Sequence, residues 1–196
     1  MRDHLREIGE AFPLSREYIR AAADKQNRHS AEQSVSGIYA LLLLLERTGI
    51  DPASVRLERE PGGKPFIAGH PFHISIAHSH SLAVCALSDA AVGADVEKLR
   101  RMSDAVSLAE RFFAPGEAAE VRGAQDTDFA FFRIWTRKEA VIKRSGDGID
   151  KVLSAYNTLS EPFTEFRLSA DGEYLISVTG DAEYIPTEYV SVTKGD

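Results

Sequence analysis

Val92-Gly93-Ala94-Asp95-Val96-Glu97 is the stretch on which the fold of this chain turns. Alternation along a strand sends Asp95 and Glu97 to one face and Ala94 and Val96 to the other. Two carboxylates on one face repel unless a counter-charge lies between them. Two readings therefore stand: a solvated strand face, or ligands for a hard divalent cation such as Mg²⁺, which takes one or two carboxylates together with substrate phosphates and water. Upstream, Phe72–Ile76 and Leu82–Leu87 are also strand-like, and residues 55–60 (VRLERE) alternate like a half-buried strand before the turn Pro61-Gly62-Gly63. Two helices precede them. Ser15 is expected to cap SREYIRAAADK, and Ser30-Ala-Glu-Gln33 reads as a capping box opening a helix that carries Val35, Ile38, Tyr39, Leu42 and Leu45 on one stripe before Gly49.

Downstream, Ser103 is expected to cap a helix through Phe113, and Pro115 sits in the first turn of another that closes at Gly123. Thr127 begins the long helix DFAFFRIWTRKEAVIKR, which stops at Gly146-Asp147-Gly148. FTEFRLSA and EYLISVT flank the hairpin signal Asp171-Gly172, and EYVSVT is expected as a last strand. Each half thus reads as helices followed by strands, so the expected fold class is α+β. The seam falls between about residues 88 and 102, and the halves are drawn as 1–95 and 96–196. No Pro/Gly/Ser-rich linker separates them, so a shared interface is expected.

Composition narrows the function classes. The chain has 196 residues, 43% apolar and 27% charged, with a formal net charge of −7, which suits a globular protein with a sizeable core. Its longest apolar run, Ile38–Leu45, falls well short of the ~20 residues a membrane span needs. The opening MRDHLREIGEAF lacks the apolar stretch of a signal peptide, so a cytoplasmic setting is expected, and the lone Cys85 in LAVCAL reads as a small hydrophobe. The acidic balance argues against nucleic acid as a partner; any phosphate chemistry must be local.

Three further clusters bear on chemistry. Glu139 and Lys143 lie four apart on one helix face with Trp135 a turn earlier, so they are either an exposed ion pair beside a core anchor, or a third carboxylate with a lysine for a phosphate. Four of the six histidines fall between His70 and His80. A zinc site there lacks a cysteine partner or an HExxH spacing, and His78 equally suits a ligand phosphate or hydroxyl. Pro61-Gly62-Gly63-Lys64-Pro65 lacks the spacing and the following helix of a phosphate loop, leaving Lys64 as a point charge on a rigid turn.

In order, Gly63-Lys64-Pro65, Ala77-His78-Ser79, Gly93-Ala94-Asp95-Val96-Glu97, Arg111-Phe112-Phe113-Ala114-Pro115-Gly116-Glu117 and Trp135-Thr136-Arg137-Lys138-Glu139-Ala140-Val141-Ile142-Lys143 resemble the 4′-phosphopantetheinyl transferases. They cover roughly residues 28 to 148, and resemble the longer single-chain type that activates peptide and polyketide synthetases more than the short trimeric holo-acyl-carrier-protein synthase. The family usually has Ser-His-Ser where this chain has Ala77-His78-Ser79, so one hydroxyl is missing unless Ser75 or Ser79 replaces it.

The resemblance implies a pseudo-twofold pair of α+β halves with coenzyme A in the cleft between them. It implies Mg²⁺ held by Asp95, Glu97 and Glu139, with Glu139 or Glu117 as general base and Lys143 offsetting charge on the leaving phosphate. Lys64, His78, Ser79, Arg28, Ser34 and Lys138 are the expected coenzyme contacts, and Gln33 joins Arg28 and Ser34 as a candidate for the adenosine 3′-phosphate. The implied reaction moves the phosphopantetheine arm to a serine of an apo acyl or peptidyl carrier protein and releases adenosine 3′,5′-bisphosphate. A nucleotide-diphosphate hydrolase and a non-catalytic coenzyme A or carrier binder are the alternatives. Lys98, Arg100 and Arg101, and Arg133, Arg137, Lys138 and Arg144, form basic runs for carrier docking or plain solvated surface. A monomer with one site per chain is expected.

Overall fold

The computed structural model describes residues 2–146 and 153–181. The chain begins with helices Arg2–Ala11 (α1), Arg16–Ala23 (α2) and Arg28–Thr48 (α3), followed by strands Arg56–Arg59 (β1), Pro65–Ala68 (β2), His73–Ser79 (β3) and Leu82–Ser88 (β4). Strand Val92–Lys98 (β5) leads into helices Ala105–Phe112 (α4), Pro115–Gly123 (α5) and Thr127–Ser145 (α6), and then strands Thr164–Ser169 (β6) and Glu173–Gly180 (β7). The pairs β1–β2 and β3–β4 are antiparallel, and β5, β7 and β6 form an antiparallel sheet in that order. The fold is α+β. The expected strand EYVSVT lies outside the described residues, as do Asp147 and Gly148.

The stripe on α3 is buried as its spacing requires: Val35, Ile38, Leu42 and Leu45 pack with Ile8, Phe12 and Ile19 over Leu57, Ile67 and Ile74. In the second half, α4, α5 and α6 enclose a cluster in which Phe113 and Trp135 both stack on Phe131. A third cluster joins the sheets through Ala77, Ala86, Val92, Ala94, Val96, Ile176 and Val178.

Three expected caps are corrected: α4 starts from Asp104 instead of Ser103, with no side-chain cap bond. Asn27, not Ser30, caps α3, accepting the Ser30 amide at 3.2 Å. Ser15 makes no side-chain cap bond; its hydroxyl donates to Val55 O and accepts from Leu57 N, binding the α1–α2 connection to the start of β1.

The boundary drawn between residues 95 and 96 falls inside β5, which pairs with β7 from Val92 to Lys98. Strand β3 lies beside β5. There the Ser75 hydroxyl accepts from Ala94 N at 2.9 Å and, four residues on, the Ser79 hydroxyl accepts from Lys98 N at 3.2 Å. Both bonds span the same sequence interval, so the two strands run in the same direction. Side-chain hydroxyls thus replace backbone ladder bonds along this junction. Ser75 is buried, so Ser75→Ala strips the Ala94 amide of its acceptor inside the core. Urea unfolding of that variant is expected to show a loss of about 1–3 kcal/mol.

Candidate active site

The strand carrying Asp95 and the helix carrying Glu139 are brought into direct contact by a missing side chain. A Cβ on Gly93 would lie 1.9 Å from the carbonyl oxygen of Ala140 and 2.6 Å from the amide nitrogen of Arg144, so α6 rests on the backbone of β5. Asp126 caps α6 at its start through Phe129 N, and Gly146, at φ 74°, ends it in a left-handed turn.

Across this contact Lys143 Nζ donates to Asp95 Oδ1 at 2.5 Å. Asp95 is buried, and its Oδ2 is a buried acceptor with no hydrogen-bond partner. Burial pushes the Asp95 carboxyl up to about 7; Lys143 opposes this rise, while the Glu139 and Glu97 carboxylates add to it. Glu139 is raised for the same reasons, burial first, with Lys143 opposing and Glu97 adding. Glu97 is held by the Ser79 hydroxyl, which donates to its Oε2 at 3.0 Å. Asp95, Glu97, Glu139 and Lys143 are therefore one electrostatic group. Lys143 completes it by pairing across to β5, in addition to sharing a helix face with Glu139.

Because the folded-state pKa of Asp95 lies above its unfolded value, its contribution to stability is fully present below about 4 and is lost as pH rises through 7. Denaturant midpoints of the protein without added metal are expected to fall between pH 5 and 8. Asp95→Asn should flatten that fall, and an unchanged pH slope in the variant would contradict the assignment.

The donors are hard carboxylate oxygens, and Asp95 Oδ2 still lacks a partner, a chemistry that fits a hard divalent cation. Among the described residues, however, no three His, Cys, Asp or Glu side chains are grouped closely enough to form a preformed metal centre.

His78 lies at the edge of this group. Desolvation by the surrounding protein, then the Lys143 ammonium and more weakly Lys25 and His29, hold its pKa below the usual histidine value, so it is neutral at pH 7. Lys25, His29 and Lys143 thus act electrostatically on His78.

The other expected contacts are placed differently. Arg28 is 85% exposed and pairs with Glu32, and the Ser34 hydroxyl bonds back to Ser30 O within its own helix. Gln33 instead ties α3 to the β3–β4 turn by donating to His80 O. Lys64 Nζ donates to Arg144 O at 2.8 Å, so in this structure it serves the end of α6 instead of standing free for a phosphate.

Glu117 and Lys138 form a fully buried ion pair at 2.6 Å. Glu117 also accepts from Ala114 N and from the amide and hydroxyl of Thr158, while Lys138 donates to Leu153 O and Tyr156 O. With every charge satisfied and none facing solvent, Glu117 is not placed as a base nor Lys138 as a coenzyme ligand. They pin the segment 153–158 onto α5 and α6. The basic runs are likewise engaged: Lys98 with Asp171, Arg101 with Asp128, Arg133 and Arg137 with Glu165, and Arg144 with Glu161.

A family model for the 4′-phosphopantetheinyl transferase superfamily matches residues 91–194, more than half the chain, including β5 and α6. The chain belongs to the 4′-phosphopantetheinyl transferase superfamily. It is 32% identical over 134 residues to a 4′-phosphopantetheinyl transferase of Bacillus subtilis, covering 66% of this chain and 55% of that protein. To the 4′-phosphopantetheinyl transferase HetI of Nostoc sp. it is 40% identical over 111 residues, covering 53% and 47%. To the transferase Sfp of Bacillus subtilis it is 26% identical over 170 residues, covering 85% and 70%. The chain spans about half the length of the first two of these relatives. Among its described residues no helix is long and apolar enough to cross a membrane.

Proposed function

We propose that this superfamily member transfers the 4′-phosphopantetheine arm of coenzyme A to a serine of an apo carrier protein, with Mg²⁺, releasing adenosine 3′,5′-bisphosphate. The observation that carries the reading is the buried Asp95 carboxylate, bound on one oxygen by Lys143, open on the other, and flanked by Glu139 and Glu97. Asp95, Glu97 and Glu139 would hold the cation, which supplies charge neutralisation of the diphosphate and polarisation of the phosphorus under attack. His78, whose pKa burial and the Lys143 ammonium hold down, offers the coenzyme phosphates a hydrogen bond in place of a charge.

The carrier serine must lose a proton as its Oγ bonds to phosphorus and the bridging oxygen departs with the adenosine bisphosphate. Glu139 would accept that proton, since Glu117 is committed to Lys138. Lys143 would stabilise the departing phosphate oxygen. A cytoplasmic monomer with one site at the junction of its halves belongs to the same reading, and light scattering with coenzyme A stoichiometry tests the monomer.

Incubation with coenzyme A, Mg²⁺ and a panel of apo acyl and peptidyl carrier proteins, read by intact mass, tests the reaction. A carrier heavier by one phosphopantetheine arm supports it. Hydrolysed coenzyme A with unmodified carrier would favour a diphosphate hydrolase, and binding without turnover a non-catalytic member.

A further inference from the structure

We propose that Lys64 is a positioning residue: its ammonium clasps the C-terminal turn of α6 and so sets where Glu139 and Lys143 stand against Asp95. Its effect on turnover rests on the transferase reading above; the clasp itself does not.

The last carbonyls of a helix lack intrahelical donors, and a cation placed on them is favourable for both the hydrogen bond and the dipole. Lys64, from the first half, supplies that cation to Arg144 O at 2.8 Å across 80 residues of sequence. Arg144 directly follows Lys143, so the clasp holds the turn that carries the cation paired with Asp95.

The platform behind Lys64 is stiff. Lys64 O accepts from Glu60 N, Glu60 O accepts from Gly63 N, and Gly63 takes φ 86°, which closes a tight turn between β1 and β2. Arg59 fastens the same turn by donating to Gly63 O at 2.9 Å. This turn is pressed against the end of α6: a Cβ on Gly146 would lie 2.8 Å from Glu60 Oε2 and 3.5 Å from Lys64 Cδ. Glu60 also favours the charged form of Lys64 against the desolvation that lowers its pKa. The end of the helix is therefore held by β5 at Gly93, by the Arg144 guanidinium on Thr179 and Glu161, and by the β1–β2 turn at the Arg144 carbonyl, the contact that bears on the helix-end backbone. Without that contact the last turn can fray, and Lys143 moves before Glu139 does.

Lys64→Met keeps the aliphatic stem and removes the donor, whereas Lys64→Arg keeps a cationic donor. Amide exchange across residues 141–146, measured without substrate, is expected to quicken in Lys64→Met and to be largely restored in Lys64→Arg. With carrier protein at saturation, Lys64→Met is expected to lower kcat about tenfold while the coenzyme A Kd stays within about twofold, the signature of misplaced catalytic groups. A Kd weakened about tenfold with kcat preserved would overturn the proposal in favour of a phosphate ligand. Unchanged exchange in Lys64→Met would overturn the clasp outright. If the wild-type protein modifies no carrier, the transferase reading fails by itself and the exchange result still decides the clasp.

Discussion

Asp95→Asn is expected to lower the rate of carrier-protein modification by about 10³-fold or more while leaving a folded protein. The carboxylate is buried between α6 and β5 with one oxygen on Lys143 and one without a partner, and its charge is what a cation on the diphosphate would need. Asparagine matches its shape and removes its charge. Because the buried carboxyl ionises only near 7, the variant also escapes the cost of carrying a buried charge at pH 8. Lys143, 30% exposed, can return its ammonium to water. Denaturation at pH 8 should therefore show stability equal to or above wild type alongside the loss of activity. An inactive variant that is also unfolded would make Asp95 structural, and an active one would remove it from the chemistry.

Gly93→Ala is expected to be the most damaging Gly→Ala change among the described glycines. Its Cβ would meet the Ala140 carbonyl oxygen at 1.9 Å, the Arg144 amide nitrogen at 2.6 Å and the Ala140 carbonyl carbon at 2.9 Å. All three are helix backbone, so relief requires α6 to lift from β5 as a body. Overpacking of this kind costs about 3 kcal/mol or more, and here the displaced helix carries Glu139 and Lys143 away from Asp95. Loss of transfer should therefore exceed what the unfolded fraction explains. Gly9→Ala is the control: it sits in α1 with nothing within 4 Å of a new Cβ and should be neutral or slightly stabilising. Wild-type stability in Gly93→Ala would contradict the helix-on-strand contact.

The elements that hold the site were legible because their periodicity is clean. Val92–Lys98 alternates and pairs along its whole length with β7, and Thr127–Ser145 carries buried residues at helical spacing between an aspartate cap and a left-handed glycine. Other elements escaped notice for physical reasons. Charges on every turn of α1 mask the Leu5, Ile8 and Phe12 stripe that packs into the first core cluster, and β2 is four residues long and opens with a proline. Asn27 outcompetes Ser30 as a cap because it precedes the first helical turn, a choice of one turn that the pattern S-x-x-Q does not resolve.

Within the site, spacing revealed that Asp95 with Glu97, and Glu139 with Lys143, share faces, but not that Lys143 reaches across 48 residues to Asp95. Local spacing carries no such information, since that partnership depends on how closely α6 settles on Gly93. The same gap explains Glu117 and Lys138: a glutamate and a lysine in motif-like surroundings look available for chemistry until tertiary packing buries each against the other. Lys64 was recognised as a fixed cation on a rigid turn, while its acceptor, a helix-end carbonyl from the far half, became visible only with the fold.

The most direct test follows the initial rate of apo-carrier modification by intact mass, at saturating coenzyme A, as Mg²⁺ is titrated from chelated to millimolar. The expected result is no turnover without the cation, a saturable rise in wild type, and no rise in Asp95→Asn. Modification that proceeds equally in chelator, or that Asp95→Asn supports with the wild-type Mg²⁺ dependence, would contradict a reaction centred on this carboxylate.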